Sequence, residues 1–512
     1  MHHPEGKTDR EQKYLIADRK YIDIIRFFHG RSGWTWIPVS PNCSRILPNT
    51  ALGFPALTNT VFFWTNYRNV PWNRLESHHC VNHLRDSICF SQKDCFLEAL
   101  QQHDKNVKET IYIDEFLPRS FVLCAAQDFQ SSMEIFMCHF MYFAALAAIK
   151  HLSTGKFEDS KWTLFPSEEQ ISASIHLLTI IRCHMRSNMR QFIARELQNA
   201  FDLYDPCWKC LQHPLCSTWR PSINVMKYNE MNYLMKFFEA NDNQYHLVQT
   251  SNVWICKPAR SSQGRGIKLF TSLDTLNEHL RHELRSSPSK QSRNWIVQKY
   301  IESPVELTNS CSRVAGSLPH PSINRRKFDL RQWVLITSLR PLKVYWYRHC
   351  YARFSSKEYT LRNIDDRFVH LCNYSVQKAN VTSSMARNPQ ESACIRHSKE
   401  IQQRLRQKYE VDVWSQVILP QMKAATKSAM EAVLPRLQAI GKGFEWLGLD
   451  FLVDSELHVW LLEANISPDL SYGDDIRRDL VPRAVRDTLH LIIREEFKEE
   501  DTDRNGWIPL SI

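Results

Sequence analysis

Two acidic residues lie inside strongly apolar stretches near the end of the chain, and they restrict the fold more than any other feature. The stretches around Asp450 and Glu463 are typical of two strands, joined by a turn at residues 455–458. With the turn centred there, Asp450 lies opposite Glu463, and Asn465 shares the face of Glu463 because side chains alternate along a strand. An isolated acidic pair on a hairpin is more often exposed surface, but unpaired charge is costly among apolar neighbours unless a cation is bound. Carboxylate and amide oxygens are ligands of Mg²⁺, so the hairpin predicts a metal site formed by Asp450, Glu463 and Asn465.

A lysine at the end of a predicted strand is followed by a glycine-containing loop. Lys257 ends the strand predicted over residues 253–257, and Gly264-Arg265-Gly266-Ile267 follows shortly after it. The ammonium supplies positive charge, and glycine lets backbone N–H groups approach phosphate oxygens closely. The loop is not a Walker A loop, because no Gly-Lys-Ser/Thr follows. A Gly-x-Gly pair alone is usually an ordinary turn, so the pattern indicates phosphate binding only in combination with other motifs.

Two further predicted strands complete a candidate nucleotide site. One runs from apolar residues into Gln298-Lys299-Tyr300-Ile301 and suits a hinge strand whose backbone could read an adenine edge, although it is also compatible with an ordinary strand. The other places Lys327, Asp329 and Arg331 on one face, which is also compatible with a solvated sheet surface. The strands predicted in this half of the chain cover residues 253–257, 295–300, 327–337, 342–348, 448–453 and 459–465.

The bulk composition narrows the class of partner without choosing one. Lys and Arg total 65 against 55 for Asp and Glu, which gives a net charge of +10. This excess favours an anionic partner such as a nucleotide, an acidic protein tail, nucleic acid or a lipid surface, and it is equally compatible with an ordinary basic surface. The 15 Cys residues have no framework spacing, which indicates reduced thiols in a cytosolic protein. The charged first 30 residues do not resemble a signal peptide, and the apolar run at 136–149 is expected to be a buried helix that is too short to span a bilayer.

Two other patterns each allow two interpretations. Arg182, Arg186 and Arg190 recur at every fourth position of a predicted helix and form either a docking stripe for an acidic surface or a solvated face. The segment Cys207-x-x-Cys210-x-x-His213-x-x-Cys216 has zinc-ligand residue types at short spacing, but free thiols in a loop would give the same pattern.

The motifs occur in a defined order along the chain. They are, in sequence, Lys257, the loop Gly264 to Ile267, Gln298-Lys299-Tyr300-Ile301, Lys327-x-Asp329-x-Arg331, His370-Leu371-Cys372-Asn373, Asp450 and Glu463-x-Asn465. From about Val61 to Ile493, this set resembles the tubulin–tyrosine ligase-like family, which has an ATP-grasp fold. The chain is most similar to the glycylase branch of that family. The features that carry this similarity are the segments 328–333, 347–355 and 370–378 and a helical segment between Arg119 and Trp254.

The resemblance implies an α/β (α+β) architecture: an ATP-grasp fold with an N-terminal α/β domain and a helical insertion. The expected divisions are an N-terminal α/β domain at 1–125, a helical insertion at 126–220, a central ATP-grasp domain at 221–320, a C-terminal ATP-grasp domain with the metal site at 321–497, and a charged tail at 498–512.

The resemblance also implies roles for individual residues, with ATP and Mg²⁺ as cofactors. The residues expected to bind the nucleotide are Lys257, Gln263, Gly264, Arg265, Gly266, Ile267, Gln298, Lys299, Tyr300, Ile301, Lys327, Asp329 and Asn373. Mg²⁺ is expected on Asp450, Glu463 and Asn465. Arg331 and Arg353 are expected to face the carboxylates of the acceptor or of the amino acid, and with Glu463 they form the expected catalytic set.

The activity implied by the resemblance is that of an ATP-dependent ligase. It would add glycine through an isopeptide bond to glutamate side chains of tubulin tails, by way of an acylphosphate. Tubulin or microtubules and free glycine are the expected partners. Neither nucleic acid nor a membrane is expected, and the expected state is a monomer in the cytoplasm and cytoskeleton, including the axoneme of cilia or flagella.

Two alternatives to this activity stay open. One is a polyglutamylase of the same fold, because the sequence differs from the glycylase pattern after Pro468 and leaves the donor amino acid undecided. The other is a non-catalytic microtubule-binding protein, against which the intact Lys257, Asp450, Glu463 and Asn465 argue. The choice between initiation and elongation of side chains, and between α- and β-tubulin, also stays open.

Overall fold

The computed structural model describes most of the chain. The described residues are 13–29, 31, 33–39, 61–106, 111–124, 129–153, 164–185, 202–218, 220–285, 294–307, 325–384, 394–493 and 505–512.

Two members of the predicted basic stripe, Arg186 and Arg190, lie outside the described residues. Arg182 lies in the last turn of a helix that ends at His184, and its Nη1 donates to the Tyr233 hydroxyl at 3.1 Å. The stripe therefore stays a prediction.

The described residues form three sheets with helices packed around them. The strands are β1 Lys13–Asp18, β2 Trp34–Val39, β3 Val61–Trp64, β4 Cys80–Val81, β5 Ser120–Cys124, β6 Trp254–Pro258, β7 Lys268–Phe270, β8 Asn294–Lys299, β9 Phe328–Leu339, β10 Leu342–Tyr347, β11 Tyr351–Phe354, β12 Ile395–His397, β13 Lys442–Gly443, β14 Glu445–Val453, β15 Val459–Ile466 and β16 Trp507–Pro509. The α-helices are Ile22–Phe28, Ile88–Ser91, Lys93–Asp104, Ile113–Phe116, Phe129–Ser153, Glu168–His184, Val225–Asn241, Leu273–Arg285, Arg367–His370, Tyr374–Ser384, Ser398–Tyr409, Leu419–Val433 and Asp475–Ile493. The six strands predicted between residues 253 and 465 are all present, with ends that shift by at most three residues.

The first sheet is parallel and includes a strand from the C-terminal half of the chain. Its order is β13-β4-β3-β1-β2. Phe62 and Trp64 of β3 share one apolar cluster with Leu480 and Val485 of the helix Asp475–Ile493. The N-terminal unit expected at 1–125 thus shares its sheet and its core with residues beyond 440.

The second sheet lies in the middle of the chain and is antiparallel. Its order is β5-β8-β6-β7, so β5, which was expected to end the N-terminal unit, is an edge strand of this sheet. The reason is packing: Leu123 of β5 joins the same apolar cluster as Trp254 and Trp295.

The helix Phe129–Ser153 covers this second sheet. Phe136 contacts the Trp254 ring with centroids 5.1 Å apart, and Phe143 contacts the same ring at 5.4 Å. By length and composition alone the helix could cross a membrane, but 78% of its most apolar 18-residue window is buried inside the protein. The predicted buried helix over residues 136–149 is confirmed, although the helix is longer than the apolar run that indicated it.

The third sheet is organised around the long strand β9. Along one edge β9 pairs with β11 and β10, and along the other with β14, which in turn pairs with β15; β12 and β16 complete the sheet. In the β14–β15 hairpin, Asp450 is the cross-strand partner of Glu463, as the sequence predicts. Lys257 reaches the same region from the second sheet, so the functional residues lie where the second and third sheets meet.

Residues 505–512 pack against the core, which corrects that part of the tail expected at 498–512; residues 498–504 lie outside the described residues. β16 pairs antiparallel with β10 and buries Trp507. The Trp507 indole N–H donates to Thr488 Oγ1 at 3.0 Å, and its ring lies 4.8 Å from that of Tyr347. Burial of this large apolar side chain stabilises the pairing of β16 with the sheet, although the sequence that precedes the strand is charged.

We expect Trp507→Ala to destabilise the third sheet by about 3–5 kcal/mol, because it leaves a large cavity and removes the hydrogen bond that Thr488 Oγ1 accepts from the indole. Denaturant unfolding followed by tryptophan fluorescence and circular dichroism measures this loss. The matched control is Ile508→Ala, a half-buried neighbour on the same strand, with a smaller expected effect. Equal effects of the two variants would show that β16 is not part of the core.

Candidate active site

One pocket collects most of the residues that the sequence analysis selected. The predicted residues that line it are Lys257, Gln263, Gly264, Arg265, Ile267, Gln298, Lys299, Tyr300, Ile301, Lys327, Asp329, Arg353, Asn373, Asp450 and Glu463. Gly266, Arg331 and Asn465 are not part of the lining but contact residues that are. The pocket also contains Lys93, which the sequence analysis missed because nothing in the helix Lys93–Asp104 distinguishes this lysine from a surface residue.

The two carboxylates of the hairpin have different surroundings. Asn465 Nδ2 donates to Glu463 Oε1 at 3.0 Å, which keeps both residues on the expected face, and Lys93 Nζ lies 3.9 Å from Glu463 Oε2. Burial raises the pKa of Asp450 above its usual value. Burial would also raise the pKa of Glu463, but Lys93 and hydrogen bonds from Asp450 and Asn465 hold it below its usual range. Of the two carboxyls, Glu463 is therefore the one that ionises more readily.

The donor set fits Mg²⁺. Among the described residues, no group of three or more His, Cys, Asp and Glu side chains is arranged to hold a metal ion. Mg²⁺, however, is usually held by one or two carboxylates together with phosphate oxygens and waters. Asp450 and Glu463 supply two carboxylates, Asn465 adds an amide oxygen, and both carboxylates line a pocket with room for phosphates.

Two arginines are paired with Asp450, and one of them, Arg353, also lines the pocket. Arg331 forms a two-pronged ion pair with Asp450, and Arg353 Nη2 lies 2.7 Å from Asp450 Oδ2. Arg353 also donates to both oxygens of Asp329, at 2.7 Å each. Asp329 and Arg331 lie on the predicted common face. Both residues are nevertheless paired within the protein: Asp329 with Arg353, and Arg331 with Asp450.

Two buried lysines are held by neutral acceptors. Lys257 Nζ donates to Gln298 Oε1 at 2.7 Å, and Lys327 Nζ donates to the Tyr300 hydroxyl at 2.7 Å. Burial lowers the pKa of each ammonium to about 8, although the negative charge of Glu463 acts to raise the pKa of Lys257. Each ammonium lines the pocket without a carboxylate within ion-pair distance among the described residues, which suits an anionic ligand such as a phosphate.

Lys299 lines the pocket, but its side-chain ammonium is paired within the protein. Its ammonium lies 2.5 Å from Glu302 Oε1 and donates to the Val253 carbonyl at 2.8 Å, and both charged groups are fully buried. Side chains alternate along β8, so Gln298 and Lys299 point to opposite faces of the strand. Glu302 and the Val253 carbonyl therefore hold the Lys299 ammonium, and the expected contact between the strand backbone and adenine stays a prediction.

The glycine-containing loop needs its glycines. Gly264 has φ +70°, and a Cβ there would lie 2.9 Å from Val376 Cγ2; Gly266 has φ +69°, and a Cβ would lie 2.8 Å from Pro258 Cγ. Gln263 also adopts a positive φ of 62°. The loop is thus a tight turn that lines the same pocket as Lys257, an arrangement compatible with phosphate binding.

The possible zinc site is not assembled in the described part of the chain. Residues Pro206–Gln212 form a 3₁₀-helix, and the Cys210 thiol contacts the Cys207 carbonyl at 3.6 Å. Cys207, Cys210, His213 and Cys216 do not form a metal-holding group among the described residues.

The comparison with protein families gives a match to the tubulin-tyrosine ligase family over residues 184–501. The chain belongs to the tubulin-tyrosine ligase family. The family has an ATP-grasp-like domain and implies the use of ATP, typically with Mg²⁺, in agreement with the fold and with the residues gathered around the pocket.

Several curated relatives of the chain are named tubulin glycylases or monoglycylases. The chain is 30% identical over 274 residues to tubulin glycylase 3B of Tetrahymena thermophila, which is 54% of this chain and 21% of the relative. It is 35% identical over 252 residues to tubulin monoglycylase TTLL3 of Mus musculus, covering 47% and 24%, and 36% identical over 251 residues to tubulin glycylase 3A of Drosophila melanogaster, covering 49% and 23%. The chain thus spans about a fifth to a quarter of the length of these relatives.

The buried lysines predict how nucleotide binding depends on pH. The charged ammonium binds phosphate, and its pKa in the free protein is about 8 for both Lys257 and Lys327. Affinity for Mg²⁺·ATP should be full well below pH 8 and fall as the pH rises through that value, by about tenfold for each lysine and about a hundredfold in all between pH 7 and pH 9. Calorimetric titration at several pH values measures it. Lys257→Met should bind more weakly and show a flatter pH dependence, whereas a wild-type affinity that is constant to pH 9 would contradict the role of the lysines.

Proposed function

We propose that the chain is an ATP-dependent ligase that adds glycine through an isopeptide bond to glutamate side chains of tubulin. The observation that carries the proposal is the single pocket in which buried lysines, a glycine-containing loop and the Asp450–Glu463 pair come together. The names of the matched relatives supply the donor and the substrate. A polyglutamylase of the same fold differs only in the donor, and the same experiment decides between the two.

The reaction begins with activation of an acceptor carboxylate. A γ-carboxylate oxygen of a tubulin glutamate attacks the γ-phosphorus of ATP, the bond to the β-phosphate oxygen breaks, and an acylphosphate and ADP form. The deprotonated amine of glycine then attacks the acyl carbon. The C–O bond to phosphate breaks, and the products are an isopeptide bond and inorganic phosphate, with the remaining amine proton released to solvent.

The residues of the chain act on charge and position. Lys257 and Lys327 bind phosphate oxygens and stabilise the charge that spreads over them during transfer. Asp450, Glu463 and Asn465 would hold Mg²⁺, which neutralises phosphate charge when bound. The loop 263–267 covers the phosphates. No side-chain nucleophile is needed, because ATP supplies the leaving group.

Arg331 and Arg353 are the proposed contacts for substrate carboxylates. In the absence of substrate their charge is matched by Asp450 and Asp329. A guanidinium has donors on both edges of its plane, so each arginine keeps N–H groups beyond those that its aspartate occupies. A carboxylate of the acceptor or of glycine can bind there without an unmatched positive charge being buried beforehand.

The proposed setting follows from the same relatives. Acidic tubulin tails suit a chain with a net charge of +10, because opposite charge accelerates encounter. We place the protein in the cytoplasm on the cytoskeleton, including the axoneme of cilia or flagella, and we propose that it acts as a monomer with no nucleic-acid or membrane partner.

Glu463→Gln should reduce glycine transfer by about a hundred- to a thousandfold while the fold is kept, because it removes a charged ligand next to the transferring phosphate. The matched control is Glu456→Gln, an exposed glutamate in the turn of the same hairpin. Transfer of labelled glycine and the melting temperature are measured for both variants. Undiminished transfer by Glu463→Gln would rule out the proposed site.

The donor is predicted to be glycine. The protein is incubated with microtubules, ATP, Mg²⁺ and equal concentrations of glycine, glutamate and tyrosine, one of them labelled in each run. Label should enter tubulin from glycine and not from the other two. Label from glutamate alone would make the chain a polyglutamylase, and label from none of them would favour a binding protein without this activity.

A further inference from the structure

One short helical turn contacts two separate parts of the nucleotide pocket. The turn Arg367–His370 begins after Asp366, whose carboxylate accepts from Phe368 N at 2.9 Å. Arg367 and His370 are three residues apart, which places their side chains close together on the turn. His370 lines the pocket itself.

Arg367 holds the glycine-containing loop. Its Nη2 donates to the carbonyl oxygen of Gly264, which lies in the middle of that loop. The contact is close, since a Cβ at Gly264 would lie 2.9 Å from Val376 Cγ2 and 3.3 Å from Asn373 Oδ1. A hydrogen bond from a guanidinium to a carbonyl is charge-assisted and stronger than a neutral one. Arg367 therefore fixes the direction of a peptide group within the phosphate-binding cradle.

His370 holds Lys327 through a chain of hydrogen bonds. The ammonium of Lys327 can only donate, so the Tyr300 hydroxyl oxygen accepts from it at 2.7 Å. The Tyr300 hydroxyl hydrogen is then left to donate to His370 Nδ1, 3.0 Å away. His370 therefore carries its proton on Nε2, which donates to the Asn363 carbonyl at 2.9 Å. Every donor and acceptor in this series of hydrogen bonds agrees with a neutral His370. The series fixes both the hydroxyl of Tyr300 and the ammonium of Lys327.

From these contacts we infer that Arg367 and His370 are positioning residues for the nucleotide. Arg367 sets the loop carbonyl at Gly264, and His370 sets the ammonium of Lys327 through Tyr300. Because both side chains come from one turn, a shift of that turn moves the loop and the lysine together. The inference rests on the proposed function for its nucleotide, and binding of that nucleotide can be measured without ligation.

The first test uses Arg367→Ala in the full chain. Titration with a non-hydrolysable ATP analogue and Mg²⁺ should show about a tenfold higher Kd, the size expected for one hydrogen bond from a charged group. The KM for ATP should rise in parallel, whereas kcat and the KM for glycine should change less than twofold. Arg367→Lys keeps a charged donor and should recover part of the affinity.

The matched control is Arg436→Ala. Arg436 also reaches across to another element, with Nη1 3.5 Å from the Cys95 carbonyl and Nη2 2.9 Å from Gln102 Oε1, and it does not line the pocket. It should bind the analogue like the wild type. Equal affinity of Arg367→Ala and Arg436→Ala for the analogue would overturn the role of Arg367. The role would also be overturned if Arg367→Ala lost affinity together with a lowered melting temperature and Arg367→Lys did not recover that affinity.

The second test addresses the histidine. His370→Leu removes the acceptor for Tyr300 and should raise the analogue Kd about tenfold, whereas His370→Asn places an oxygen near the Nδ1 position and should restore most of the affinity. Equal binding by these two variants would overturn the relay.

A wild-type protein that binds the analogue but transfers no glycine would refute the proposed function and leave the positioning roles intact. A wild type that does not bind the analogue would refute both.

Discussion

A row of paired charges across four neighbouring strands is the interaction on which the site depends. Arg353 of β11 is the cross-strand partner of Asp329 of β9, and Arg331 of β9 is the partner of Asp450 of β14. Glu463 of β15 extends the row as the partner of Asp450. Ions buried this deeply are tolerated only with close partners, and removal of one partner typically costs about 3–5 kcal/mol. The row therefore fixes the register of the four strands and the positions of the carboxylates at the same time.

The charges of this row are matched within the protein itself. Each charged group of the row has a protein partner, and the two lysines rest against the neutral oxygens of Gln298 and Tyr300. Phosphates can replace those neutral partners without rearrangement of the strands. Side chains that are already oriented toward developing charge need little reorganisation during the reaction, which is the main way in which proteins stabilise such charge.

The part of the site that depends on strand periodicity could be predicted from the sequence. Alternation of side chains within apolar runs predicts that Asp450 lies opposite Glu463. It also predicts that Asp329 and Arg331 share one face of their strand, and the structure has both features. Alternation along β8 likewise places Lys299 on the face opposite Gln298, where its ammonium pairs with Glu302.

Contacts between distant parts of the chain could not be predicted in this way. Lys93 joins the site because the short helix before it, Ile88–Ser91, packs against β15, and the relay from Lys327 through Tyr300 to His370 joins three separated segments. The placement of β5 in the central sheet and of β16 beside β10 also depends on pairing between distant residues, for which a single sequence carries no local signal. The family match over residues 184–501 covers most of the pocket residues and leaves Lys93 outside it.

The account's central claim is that ATP activates the acceptor carboxylate by forming an acylphosphate. The direct test is isotope transfer from a tubulin-tail peptide whose glutamate γ-carboxylates carry oxygen-18, incubated with the full chain, ATP, Mg²⁺ and glycine. The phosphate released is analysed by mass spectrometry. The account predicts one oxygen-18 atom in the inorganic phosphate for each glycine joined. Unlabelled phosphate accompanying glycine transfer would contradict it, because the acceptor oxygen would then not have passed to phosphorus.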